Sequence, residues 1–374
     1  MKYLPAFLSN FLLLFFILAS AHADNLKLDA ALVHAVDFGN TGQIHRLVAQ
    51  GANVNARNDI GQTVLERAAQ YGNYDAVKVL IDLGANVNST SNYGGPLTSA
   101  AGDLYGNSPI AICRLLLSKG ANPNGQPGTE TPLMAALREA VGAEEQTNST
   151  MGQIAVSTPD YSSAGRQRAL EVAKAEEAKL RRSFLKAEKD RVAKVHETGL
   201  QIVRLLIARK AGVNLCLNGT SPLMVAAQAG SADAMRLLID SGAHSDTSSL
   251  DAALGPAAVS GSVSAVKFLL SSGASPNAGG VKQSPVITLA ALSDAAESIY
   301  LLVNAGANVN ARGVNGNTAL NLVMLRPDVP AVKFLLSHGA DPTIADKDGR
   351  TPLYWAKETK NAELIALLQA AGAK

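Results

Sequence analysis

The sequence predicts an all-α protein, a solenoid of about nine helix-turn-helix repeats, on three observations. The dipeptide Gly-Ala recurs at Gly51, Gly84, Gly120, Gly242, Gly273, Gly306, Gly339 and Gly372, with gaps of 33, 36, 122, 31, 33, 33 and 33 residues. A fixed period of this length is the mark of stacked supersecondary units. Seven, four and three residues before each closing position stands an apolar triplet, such as Ile44/Leu47/Val48, Val266/Leu269/Leu270 or Val332/Leu335/Leu336. Steps of three and four put all three side chains on one stripe of a helix. The 374 residues are 47% hydrophobic and 17% charged, too apolar for a disordered chain, yet only 5% aromatic.

Met1 to Ala23 reads as a secretory signal peptide. Lys2 precedes an apolar run from Phe11 to Ala19, and Ala21-His22-Ala23 has the small-x-small pattern of a cleavage site, so a mature chain is expected from Asp24. The alternative is an uncleaved anchor, for which the run falls short of the roughly 20 residues that cross a bilayer. No second long apolar stretch follows, so no membrane span is expected after cleavage. The remainder, 24–374, divides into repeats near 26–57, 58–90, 91–126, 127–214, 215–246, 247–278, 279–311, 312–344 and 345–374.

In each repeat the Gly closes an outer helix, because a left-handed residue past the last turn is easiest without a Cβ. Only the copy Lys210-Ala211-Gly212 puts Lys in that place. An inner helix lies upstream, capped by Thr63, Thr131, Ser221, Thr318 or Thr351 and often opened by Pro132, Pro222 or Pro352. Small pairs such as Ala68-Ala69 and Ala226-Ala227 let this helix sit close to its neighbours. Asn-Val-Asn and Asp-x-x-Gly segments between them are turn chemistry. The last triplet ends in Gln369, as suits a terminal repeat turning a more polar face to water.

These residues resemble the ankyrin repeat, from about Leu26 to the end. The match is close in Asp348-Gly349-Arg350-Thr351-Pro352-Leu353 and in Gly306-Ala307-Asn308-Val309-Asn310. The His of the family's Thr-Pro-Leu-His opening is absent: Glu66, Met134, Met224, Asn321 and Tyr354 take its place. The hydrogen bonds that His makes to the neighbouring turn are therefore not expected.

The array has irregularities. The fourth repeat is interrupted over 143–198, first by a polar stretch from Gln146 to Gly165, then by Arg166 to Glu197 with ten basic and six acidic residues and almost no helix breakers. This second part predicts a long charged helix, either solvated or using Leu180, Phe184 and Leu185 against the solenoid or a second copy. Gly255-Pro256 falls inside an expected inner helix and predicts a shortened or kinked one.

Signs of chemistry are missing. The five His of the mature chain include no pair four residues apart, so no helical zinc pair is expected, and no other metal or cofactor. His338 precedes a closing Gly, where a cation suits the helix C-terminus. There is no Gly-x-Ser-x-Gly elbow, phosphate loop or dinucleotide fingerprint. Cys113 stands in the buried stripe and Cys216 in a finger on another face, so they are not expected to pair. Against 33 Lys and Arg stand 31 Asp and Glu, a net charge of +2, which argues against nucleic acid as partner.

The expected function is thus non-enzymatic: an exported scaffold, in the periplasm or outside the cell, binding another protein. The resemblance implies a concave face of finger tips and exposed inner-helix positions. Candidate partner-binding residues are Arg57, Asp59, Ile60, Gln62 and Tyr71 in the second repeat, with Tyr93 in the third. Arg312 and Asn315 follow in the eighth, and Lys347, Arg350, Tyr354 and Trp355 in the last, Trp355 also suiting a seal on the final repeat. Aromatics and Arg carry most contact energy at interfaces. Two alternatives stand beside this: an inhibitor or immunity factor of an envelope or secreted enzyme, and a structural protein self-associating through 166–197.

Overall fold

The computed structural model describes residues 25–103, 108–140, 164–280, 284–293 and 295–373, with backbone alone for 164–177. The expected signal peptide and most of the polar stretch from Gln146 to Gly165 lie outside the described residues. Within them the regular elements are helices, and extended pairing is limited to isolated bridges such as Arg57 with Thr63.

The contacts divide the chain into two compact units. The first, Met1–Glu139 with Gln201–Gly212, holds α1 (25–37), α2 (Thr41–Ala49), α3 (Val64–Gln70), α4 (Tyr74–Asp82), α5 (Pro96–Gly102), α6 (Pro109–Ser118), α7 (Pro132–Glu139) and the last turns of α8 (Ala164–Ala208). Here α3 packs on α5 and α5 on α7 in an inner layer, while α2, α4 and α6 follow one another in an outer layer.

The second unit, Ala140–Leu200 with Val213–Lys374, holds the rest of α8 and five helix pairs. Its inner helices are α9 (Pro222–Gln228), α11 (Thr247–Ser260), α13 (Val286–Leu292), α15 (Ala319–Val323) and α17 (Pro352–Glu358). Its outer helices are α10 (Ala232–Asp240), α12 (Val263–Ser271), α14 (Ala296–Asn304), α16 (Val329–Ser337) and α18 (Ala362–Ala370). Each inner helix packs on the next inner one and each outer helix on the next outer one.

The sequence pattern explains these elements. The caps Thr63, Ser221, Thr318 and Thr351 accept a backbone N–H from the third helical residue. The first two members of the outer triplets are buried, as in Val266 and Leu269 at 0% exposure, whereas the third is half-buried in Val48, Ile81, Leu270 and Leu336. In the last copy described Ile365 is half-buried and Gln369 exposed.

The closing glycines have φ from +88° to +106°, and Lys210, in the degenerate copy, is also left-handed at +66°. An L side chain there costs roughly 1–2 kcal/mol.

The expectation that Gly255-Pro256 shortens its helix needs correction. Helix α11 runs through Pro256 and is 14 residues long, twice the length of α9. The reason lies upstream. Where Asn55, Asn88, Asn124, Asn214, Asn277 and Asn310 stand at the finger of other repeats, this one carries Asp246, whose carboxylate accepts Ser249 N–H at 2.8 Å and starts a helix in place of a finger. The added turns outweigh the one hydrogen bond Pro256 cannot donate.

Replacing Lys210 by Gly should raise stability by about 1 kcal/mol, read as a higher urea midpoint. An unchanged or lower midpoint would show the left-handed Lys to be compensated elsewhere.

Candidate partner-binding face

The fingers are held from repeat to repeat by one side chain used over and over. In the second unit Asn277 Oδ1 accepts Asn308 N–H at 2.8 Å while its Nδ2 donates to Gly306 carbonyl oxygen at 3.0 Å. Asn310 does the same to Asp341 N–H and Gly339, and Asn214 to His244 N–H and Gly242. In the first unit Asn88 clasps Asn122 N–H and Gly120, and the carboxamide oxygens of Asn55 and Asn124 accept Asn86 N–H and Gly212 N–H. The closing Gly thus offers its carbonyl to the preceding finger. Two neutral hydrogen bonds of this kind are worth about 1–2 kcal/mol net.

Two of the candidate arginines belong to this framework. Arg312 Nη2 donates to Ala345 carbonyl oxygen at 2.7 Å, and Arg57 Nη1 to Thr90 at 2.7 Å and Gly61 at 2.5 Å. Each ties its finger to the next one. Gln62 is buried at 3% exposure, its amide bonded to Gln70 Oε1 at 3.0 Å and Asn58 Nδ2 at 3.2 Å. Gln62 braces the face from within, while Arg57 and Arg312 stay exposed and at the same time tie their fingers together.

The other candidates are placed as follows. Asp59, Ile60, Tyr71 and Tyr93 are exposed, with the Arg67 guanidinium 5.1 Å from the Tyr71 ring centre and also paired with Asp37. Asn315 and Lys347 are exposed and joined through backbone, Lys347 N–H to Asn315 carbonyl oxygen at 3.0 Å. Arg350 lies 4.9 Å from the half-buried Trp355 ring, which Tyr354 meets edge-on at 5.4 Å. Tyr354 stays exposed.

Arg350 also pairs with Asp346 and Asp348. Burial pushes the Asp346 carboxyl up, but N–H donors from Arg350 and Asp348 and the Arg350 guanidinium outweigh it and hold the group below the usual carboxylate range.

In the first unit a groove of about 630 Å³ runs between α1 and the finger at 53–59, lined by Leu26, Val33, His34 and Asp59 among others. Cys113 is buried, its thiol pushed up to about 12, Cys216 is exposed, and both are free. His338 faces its own helix end, Nδ1 2.8 Å from Phe334 carbonyl oxygen. Among the described residues no three His, Cys, Asp or Glu converge as metal ligands, and no helix is long and apolar enough to cross a membrane.

A family model for ankyrin repeats matches the chain in three copies, over residues 6–91, 192–279 and 287–374, more than two thirds of its length. The chain belongs to the ankyrin repeat family. No curated protein matches it. Ankyrin repeats are generally protein–protein interaction modules and typically non-catalytic.

The missing ankyrin His is replaced more fully than expected. Asn321, 1% exposed, accepts Thr318 N–H at 3.0 Å and donates to Ile344 and Arg350 carbonyl oxygens in the next finger, at 3.1 and 3.4 Å. Glu66, fully buried, accepts the hydroxyls of Ser91 at 2.5 Å and Ser99 at 3.4 Å. The bond to the neighbouring turn survives in these two ankyrin repeats through a different side chain. Met134 and Met224 have no such donor.

Three ankyrin face residues escaped the reading of the sequence. Val259, Leu292 and Leu325 are 47%, 56% and 52% exposed. They stand 33 residues apart, each 14 before its closing Gly, in register with Gln70 of the second repeat. Counting back from Gly as far as Gln70 in every repeat would have found them.

Replacing Asn277 by Ala should cost about 1–2 kcal/mol in urea unfolding; no loss would remove the Asn clamp from the account. For Asp346, a lowered folded pKa stabilises above the usual carboxylate range and fades as pH falls through the folded value. The thermal midpoint of Asp346→Asn should therefore lie below the parent's at pH 7 and approach it toward pH 3. A gap that stays constant with pH contradicts the lowered pKa.

Proposed function

We propose that this chain is a non-enzymatic ankyrin scaffold of nine repeats that binds a partner protein through its finger and inner-helix face, after export to the periplasm or cell exterior. Export is supported by Lys2, the apolar run from Phe11 to Ala19 and Ala21-His22-Ala23.

The observation that carries the binding role is the row Val259, Leu292 and Leu325. Each is about half exposed on α11, α13 and α15, or just past their ends, and these inner helices are packed successively. Inner helices pack some 8–10 Å apart, so three branched apolar side chains line up in water. Single exposed apolar residues need no explanation, but an aligned row of them marks a contact surface. The exposed members of the candidate set, Arg312, Asn315, Lys347 and Tyr354, supply a polar and aromatic rim in the same unit. In the first unit Arg57, Asp59, Ile60, Tyr71 and Tyr93 play that part.

The test is capture of a partner from an envelope extract by the chain and by Leu292→Glu/Leu325→Glu. The variant should lose at least tenfold in bound partner with a thermal midpoint within about 2 °C of the parent, since both sites are on the surface. Equal capture by parent and variant would overturn the role of this row.

A further inference from the structure

Between Ala178 and Arg191, helix α8 is covered by almost nothing. Twelve of these fourteen residues are exposed, and only Leu185 and Glu188 are half-buried; burial begins at Val192. Leu180 is 73% exposed and Phe184 61%. One turn apart, they form a small apolar face that Ala187 extends. Helix here is sustained by composition, since Ala, Leu, Lys, Arg and Glu are the good helix formers.

The charge around that face is lopsided. The segment carries Lys179, Arg181, Arg182, Lys186, Lys189 and Arg191 against Glu188 and Asp190. Arg191 is held by Glu188, with N–O distances of 2.6 and 3.0 Å. The other five cations form no ion pair with any described residue. Lys179 and Arg181 flank the Leu180 side, while Arg182, Lys186 and Lys189 run along the back.

We propose that residues 178–191 bind an anionic lipid surface, the helix lying in the headgroup plane. Leu180 and Phe184 enter the boundary between headgroups and acyl chains. The flanking cations meet phosphate, and the long stems of those behind let their charges reach up to the same layer. Anionic headgroups complement five cations that no described residue pairs, and each basic group near such a surface adds to the attraction. A second copy of the chain fits poorly. Two such helices would bring like charge together, and one Leu and one Phe fall far short of the roughly 800 Å² per partner of a stable interface. The site is separate from the Val259, Leu292 and Leu325 row, so the two readings stand or fall apart.

The experiment is co-sedimentation of the chain from Asp24, which holds all the described helices, with vesicles of phosphatidylcholine alone or mixed with phosphatidylglycerol. Binding should need the anionic lipid and fall at least tenfold from 50 to 500 mM salt. Two variants, Leu180→Glu/Phe184→Glu and Lys179→Gln/Arg182→Gln/Lys186→Gln/Lys189→Gln, should each lose at least tenfold, with helix content and thermal midpoint unchanged. No binding to anionic vesicles, equal binding to neutral ones, or full binding by both variants overturns the proposal. So does light scattering that finds a dimer dispersed by Leu180→Glu/Phe184→Glu, which would make a second copy the occupant.

Discussion

Each clamping Asn of a finger reaches across to the next repeat, its oxygen taking a backbone N–H and, in Asn88, Asn214, Asn277 and Asn310, its nitrogen reaching the carbonyl of the closing Gly. Much else follows from this clasp. It fixes the rise from one repeat to the next on the finger side, while the apolar triplets fix it among the outer helices. A helix pair of about thirty residues cannot bury its own apolar stripe, so stability here comes from neighbours. The clasp makes each neighbour arrive in register. The closing Gly serves twice, as the left-handed end of one helix and as acceptor for the finger before it.

Where the pattern departs, the local structure changes in a way that chemistry explains. Asp246 has no amide nitrogen to donate, so it cannot clasp the next Gly; it caps α11 instead, and a finger becomes helix. Asp251, on that added helix, then accepts Ser275 N–H at 2.6 Å, supplying half of the lost clamp from a new direction. Asn321 and Glu66 likewise show a function kept while the residue changes. The position needs a buried side chain able to bond into the adjoining turn, and an amide or a carboxylate meeting hydroxyls can do so.

A face for partners requires side chains left over once such duties are met. Arg57 and Arg312 each spend a donor on the next finger and Gln62 spends its amide inside its own repeat, whereas Tyr71, Tyr93 and Tyr354 keep their surface free. Residue type alone ranked Arg312 with the tyrosines. The acceptor that claims it, Ala345, stands 33 residues further on, and only the stacking of repeats brings the two together.

Periodicity determined the fold by itself. Gly-Ala returns about every 33 residues, and within each copy the triplets at seven, four and three before it and the Thr or Ser caps are local signals, because helix geometry and capping are local physics. Tertiary structure alone decided what the Asn side chains hold, which polar residues are spent and which apolar ones stay in water. Those outcomes depend on contacts between residues about thirty positions apart. Val259, Leu292 and Leu325 look like three ordinary helix residues until the stack aligns them. Leu180 and Phe184 look like a seam until the fold leaves them uncovered.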